Sequence, residues 1–113
     1  MANELLVSTV SGTDVYAVGR VANGNNIGEW GIVGGALEVF AAANWATYAI
    51  VMAELGTTGL FQADMPDVFN GERAVDIIFL TRAGAAPVQG DVKISGALYF
   101  LADDWMPTEA LVV

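Results

Sequence analysis

Short segments in which apolar and polar residues alternate run along the chain, and turn sequences separate them. Alternation with a period of two is the pattern of a β-strand that buries one face. It is clearest over residues 72–80 and 92–101, which we expect to be strands. The predicted buried faces are Val75, Ile77 and Phe79 in the first, and Val92, Ile94, Leu98 and Phe100 in the second, with Lys93, Ser95 and Tyr99 on the opposite face.

Turn chemistry divides the rest of the chain into similar pieces. Residues 5–10 and 14–21 are predicted as strands, the latter with Val15, Ala17, Gly19 and Val21 on one face. Asn23-Gly24 and Asn70-Gly71 indicate turns, because Asn and Gly both tolerate positive φ. The glycine-rich residues 27–40 indicate two short strands joined by a tight turn.

The segment Ala41–Leu55 is ambiguous. Its alanine content favours a helix, whereas the β-branched and aromatic residues 48–52 favour a strand. We predict a helical turn at most near Ala41–Trp45, followed by a pair of strands joined through Gly56-Thr57-Thr58-Gly59. One continuous helix here would instead indicate an α+β domain.

Seven or eight short strands in a chain of 113 residues are typical of an all-β, antiparallel, immunoglobulin-like β-sandwich. The alternative is a small closed or jelly-roll barrel. With 55% hydrophobic and 15% charged residues, the composition is that of a packed chain. We expect residues 1–113 to form a single domain, because this length rarely supports two.

The missing residue types restrict the chemistry. The chain has no His and no Cys, whereas Ser-His and Cys-His nucleophiles and most zinc or haem sites need one of them. We therefore expect neither an enzyme nor a cofactor. The pairs Asp103-Asp104 and Asp64 with Asp67 lack the spacing of a calcium loop, so we expect solvated carboxylates and no metal site.

Thirteen acidic and four basic residues give a formal net charge of −9. The scattered cations do not form the basic stripe that nucleic acid requires, so we expect no nucleic-acid partner. The acidity either keeps an apolar surface soluble or meets a basic partner. The uncharged apolar stretches, such as residues 96–102, fall below the roughly 20 residues of a membrane span, and no basic region precedes the first apolar run. We therefore expect neither membrane insertion nor a secretory signal.

The aromatic residues have two interpretations. Trp30, Trp45 and Trp105, with Tyr16, Tyr48 and Tyr99, are candidates for a sugar-stacking platform. In a small sandwich, aromatic side chains more often fill the core or cover the sheet ends, and we favour that interpretation. Phe61, Phe79 and Phe100 are predicted to be core residues.

Both ends of the chain are apolar. After Pro107, the final Leu-Val-Val has no evident role in solvent, and such an end can add a strand or arm to a neighbouring subunit. We therefore predict a homo-oligomer with apolar arms, the C-terminal one spanning residues 106–113. The candidate interface residues are Leu5, Leu6, Val7, Leu111, Val112 and Val113.

Several segments resemble a family of small immunoglobulin-like proteins of phage virions. They are a Trp and a Tyr-Ala-Ile strand within residues 42–50, the Glu-x-Gly-x-x-Gly turn of 54–59 with the aromatic strand after it, and the Met-Pro corner at 64–66. Residues 14–18 and 83–87 are also similar. Leu60 and Glu72-Arg73-Ala74 depart from the family pattern.

The resemblance implies a β-sandwich carried by virions as a capsid decoration, neck or tail accessory, without catalytic residues. We expect a capsid decoration or cement protein, made in the host cytoplasm and located in the virion. Its partner would be the major capsid protein or another virion protein, and a trimer is favoured. The alternative function is a tail, neck or fibre module that binds host-surface carbohydrate.

Overall fold

A computed structural model describes residues 4–101 and 105–107. They form two antiparallel sheets, a small one of order β1-β7-β6 and a large one of order β10-β9-β8-β2-β3-β4, in which β5 also pairs with β2. The strands are β1 (Leu5–Ser8), β2 (Val15–Asn23), β3 (Trp30–Gly31), β4 (Leu37–Glu38), β5 (Ile50–Val51), β6 (Ala53–Glu54), β7 (Leu60–Ala63), β8 (Ala74–Thr81), β9 (Val92–Leu101) and β10 (Trp105–Pro107).

The fold prediction is confirmed: the chain is an all-β antiparallel sandwich. The described residues form two separate sheets, which is a sandwich arrangement and not the barrel alternative. The described residues contain ten strands where seven or eight were expected, because residues 50–54 divide into β5 and β6 and β10 follows β9. The described chain also contains one helical turn, α1 (Trp45–Tyr48), and 3-10 turns at Ala42–Asn44 and Asp67–Phe69. None of its helices is long and apolar enough to cross a membrane.

The main core lies between the two sheets. The predicted faces of β2 and β8 are confirmed, because they supply much of this core and pair with each other along most of their length. Across from them, Leu5 of β1 and Phe61 of β7 are also buried. The residues that these four strands contribute to the main core are Leu5, Val15, Ala17, Val21, Phe61, Val75, Ile77 and Phe79.

The predicted buried face of β9 is wrong on both sides of its bulge, because Val92 is 65% exposed before it and the faces are reversed after it. The pairing with β8 shifts between Phe79 and Leu80, whose partners are Ser95 and Lys93. One extra residue on a strand reverses the faces that follow it. As a result Tyr99 is buried in the main core, and Phe100, expected there, is only half-buried.

A second apolar cluster covers the outer face of the large sheet. Tyr16 and Val18 of β2 and Leu80 of β8 form its base, and Trp45 and Tyr48 of α1 pack over them. Since β2 alternates between this cluster and the main core, both of its faces are buried. The sandwich therefore has a third layer, made by the chain around α1.

Residues 41–55 are partly as predicted. The helical turn extends through Tyr48, three residues beyond the predicted end at Trp45. A continuous helix to Leu55 is excluded. The strand after it changes sheets: β5 pairs with β2 of the large sheet, and β6 pairs with β7 of the small one. This change of partner makes residues 50–54 the link between the sheets.

The predicted Asn-Gly turns are confirmed and one of them is braced by a buried carboxylate. Gly24 and Gly71 have φ values of 140° and 92°. Between these turns Glu72 is 3% exposed, and its carboxylate accepts hydrogen bonds of 3.0 Å from the backbone N–H and the Nδ2 of Asn26. Glu72 therefore fixes the loop between β2 and β3.

Candidate binding surfaces

Four aromatic rings meet above the outer face of the large sheet. The ring centroids of Trp30, Phe40, Trp45 and Tyr48 are separated by 4.9 to 6.4 Å. Such spacing is typical of aromatic clusters that stabilise beyond simple burial. Trp45 and Tyr48 are buried beneath, whereas Trp30 is half-buried and Phe40 is 37% exposed.

Polar contacts fix the rings from below. The Tyr48 hydroxyl donates to the carboxylate of Glu38, and Asn44 Nδ2 donates to the same carboxylate at 2.8 Å. These two hydrogen bonds hold the pKa of Glu38 below its usual value, because both stabilise the charged form. Burial, and then the bond to Glu38, raise the pKa of Tyr48. The segment carrying Phe40 and α1 is thus anchored to β4.

A second network joins α1 to the loop before β9. Trp45 Nε1 donates to the Tyr16 hydroxyl at 3.0 Å, and this hydroxyl donates to Asp91 Oδ2 at 2.7 Å. Burial and the bond to Asp91 raise the pKa of Tyr16 to about 12. Burial opposes ionisation of Asp91, but donors that include the Val88 N–H outweigh it and hold the pKa of Asp91 below normal. A charged carboxylate is therefore held at one edge of the aromatic cluster.

Two cavities lie along this face of the sheet. One, of about 330 Å³, is lined by three of the aromatic rings, those of Trp30, Phe40 and Trp45, together with Gln89, Asp91 and Lys93. The other, of about 490 Å³, contains Arg20 and Asp76, which form an ion pair of 3.2 Å, and has Gly96 on its wall. Trp30 and Ile78 line both cavities. We call this combined depression the Trp30 groove.

The predicted aromatic residues thus divide into two groups. The core interpretation is right for five of the six, which are at most 8% exposed: Tyr16, Trp45, Tyr48, Tyr99 and Trp105. Trp30 is the exception. Its exposed neighbour Phe40 was not singled out from the sequence, since nothing in an Ala-rich context distinguishes an exposed Phe from a buried one.

A third cavity, of about 320 Å³, lies where β2 begins and includes Glu54 and Arg82. Hydrogen bonds from the Ser11 side chain and from the N–H groups of Gly12 and Gly59 hold the pKa of Glu54 below its usual value. The two backbone bonds are 3.0 and 2.9 Å long. Glu54 therefore closes the β6–β7 turn against the neighbouring loop, which is a structural role.

The N-terminal part of the predicted interface needs correction. Leu5 is fully buried in the main core of its own chain, and Val7 packs against that core, because β1 pairs with β7. They form part of the small sheet and are not an arm. Leu6, which is 49% exposed, remains a candidate. The C-terminal candidates Leu111, Val112 and Val113 lie outside the described residues.

The strand β9 has an open side. β10 pairs with Tyr99–Leu101, and in the described ranges no strand pairs with residues 92–97 opposite β8. Several valines on the surface are strongly exposed, among them Val92 at 65%, Val51 at 79% and Val39 at 78%. Unpaired strand edges and exposed apolar side chains are both features of association surfaces.

The acidic candidates do not gather into a site. Asp64 follows β7 and Asp67 opens a 3-10 turn, while Asp103 and Asp104 lie outside the described residues. Over residues 4–101 and 105–107, no three acidic side chains lie close enough together to hold a metal ion.

Comparison with protein-family models, with curated proteins and with solved structures finds no match for this chain.

Proposed function

We propose that this chain is a non-enzymatic structural protein of a virus particle, a decoration or cement domain that binds the outside of a capsid. It would reinforce contacts between capsid subunits and would be made in the host cytoplasm. The observation that carries the proposal is the outer edge of β9 over residues 92–97, with which no strand of residues 4–101 and 105–107 pairs. A sandwich that presents backbone donors and acceptors beside the exposed side chain of Val92 is suited to assembly with other chains.

The C-terminal residues supply a matching element. Residues 109–113 are largely apolar, and they follow β10, which already runs antiparallel to β9. In this proposal, they add to the β9 edge of a neighbouring subunit and join the domains into a homo-oligomer, with a trimer favoured. The burial of Leu5 leaves the C-terminal residues as the main candidate for this role.

The acidic charge has a separate role. With a net charge of −9, the surface would meet Lys and Arg side chains of the major capsid protein or of another virion protein. Such rim contacts steer association, while apolar contacts supply most of the affinity. The proposal thus assigns assembly to the strand edge and orientation to the carboxylates.

Removal of residues 109–113 tests the assembly step. Analytical ultracentrifugation should find the full chain as an oligomer and the truncated chain as a monomer. Circular dichroism should show that the truncated chain is still folded. A second variant, with Leu111, Val112 and Val113 all changed to Ser, keeps the length and should also be monomeric. Val10→Ser removes a 75% exposed apolar side chain elsewhere and should still assemble. A full chain that is monomeric, or a truncated one that assembles normally, would contradict the proposal.

A further inference from the structure

The Trp30 groove combines features that the assembly proposal does not use. Its middle is apolar, with the indole of Trp30 beside Ile78, and both of its ends are polar. Along β8 the groove extends from Asp76 to Leu80. These two residues are four positions apart, which corresponds to about 13 Å at the usual rise of a strand. Each of its two cavities exceeds the 300 Å³ or so at which small-molecule sites begin.

The charges at the two ends are of both signs. Arg20 and Asp76 pair at one end, and Asp91 and Lys93 flank the other. An anion or a cation would meet a like charge at either end, and an acyl chain would desolvate charged groups at both. A neutral ligand rich in hydroxyl groups meets neither penalty, because hydroxyls donate to carboxylates and accept from cations.

Asp91 and the Trp30 ring are held in place before any ligand binds. Asp91 is fixed by Tyr16 and by the Val88 N–H, and Trp30 is held within the ring cluster. Groups that are already ordered cost little conformational entropy on binding. A half-buried aromatic ring next to fixed hydrogen-bonding groups matches a pyranose, which has an apolar C–H face and a polar rim.

From this arrangement, we infer that the Trp30 groove is a binding site for a short neutral oligosaccharide. One sugar ring packs against Trp30 and Ile78, and its neighbours bind the polar groups at the two ends. The site lies on the outer face of the large sheet and shares Lys93 and Gly96 with the β9 edge of the assembly proposal, whereas its central residue, Trp30, belongs to β3 and lies outside that edge. A virion domain could hold both.

Gly96 offers a direct way to block the groove. It lines the larger cavity, its φ is not positive, and the nearest atom to an added Cβ is the Ile77 carbonyl oxygen at 3.4 Å, an ordinary contact. Gly96→Leu should therefore fold and fill the floor of the groove. Gly84→Leu is the matched control, because Gly84 lies in an exposed loop with nothing within 4 Å.

The test is binding to an oligosaccharide array, followed by titration with maltotriose, cellotriose, chitotriose and the best array ligand. We expect binding by the native chain, an affinity reduced about tenfold or more by Trp30→Ala or Gly96→Leu, and no change with Gly84→Leu. If no sugar binds, or if binding survives Gly96→Leu, the inference is wrong. Preferential binding of uncharged phospholipid vesicles or of peptides would also overturn it. Trp30 lies outside the β9 edge, so sedimentation of Trp30→Ala reports assembly independently of sugar binding, and the two proposals can fail separately.

Discussion

One aromatic ring of the main core packs directly against two glycines. Phe69 is fully buried and lies against Gly19 of β2 and Gly31 of β3. A Cβ added at Gly19 would be 2.6 Å from Phe69 Cζ and 3.1 Å from Ile77 Cδ1. Carbon atoms normally pack at about 3.5 to 4.0 Å, so the ring would have to move by about 1 Å.

The expected effect of Gly19→Ala follows from these distances. Overpacking a core costs about 1 to 3 kcal/mol. The smaller entropy of the unfolded alanine chain offsets about 0.4 to 1 kcal/mol of this. We therefore expect a net loss of about 1 to 2 kcal/mol in the free energy of unfolding, measured by urea denaturation with tryptophan fluorescence and circular dichroism.

A double-mutant cycle isolates the contact itself. Phe69→Leu removes the ring atoms that would collide with an alanine at position 19. The loss in the free energy of unfolding for the double variant Gly19→Ala/Phe69→Leu should therefore be about 1 kcal/mol smaller than the sum of the losses for the two single variants. Gly84→Ala, with nothing within 4 Å, should change stability by less than about 0.5 kcal/mol. Additive effects of the two core changes, or a Gly19→Ala variant as stable as Gly84→Ala, would refute the packing argument.

Four further outcomes are expected. Tyr16 has a pKa of about 12 in the folded chain, against about 10 in the unfolded chain, so the stability that this difference contributes is complete below pH 10 and is lost as the pH rises toward 12. Over this range the melting temperature should fall less steeply for Tyr16→Phe than for the native chain. Glu54 has a lowered pKa, so its contribution is present above about pH 4.5 and lost on acidification; Glu54→Gln should flatten the acid side of the melting profile, and an unchanged profile would argue against this role. Glu72→Ala leaves the donors of Asn26 without their acceptor and should cost about 1 to 3 kcal/mol in urea denaturation, and Glu72→Gln less. Assembly should persist in about 1 M NaCl when followed by sedimentation, because apolar contacts strengthen in salt; dissociation of still-folded domains would contradict the apolar interface.

The sequence predicted the elements whose pattern is local. Val75, Ile77 and Phe79 alternate with half-buried neighbours, and their face of β8 was correctly assigned. Along β9 the same rule failed at Tyr99, because the bulge depends on how two strands pair and leaves no mark in the hydrophobic pattern. Residues 50–54 were difficult for a related reason: a strand that changes sheets depends on tertiary contacts on both sides.

The candidate sites were less accessible from sequence. Leu5 and Leu111 belong to similar apolar ends, but pairing with β7 buries Leu5 in the core, a contact of residues nearly sixty positions apart. Trp30 and Trp45 likewise have the same chemistry and different exposure. Only the position of α1 over the sheet separates them, since it buries Trp45 and leaves Trp30 beside the groove.

Quantitative mass spectrometry of purified virus particles, fractionated into capsid shells and tails, shows whether this chain is a capsid decoration protein. We expect it with the shells, in a fixed ratio to the major capsid protein. Chemical cross-links should join its acidic surface to capsid lysines. Its absence from purified particles, or its recovery only in the soluble fraction of the host cell, would refute a role in the virion.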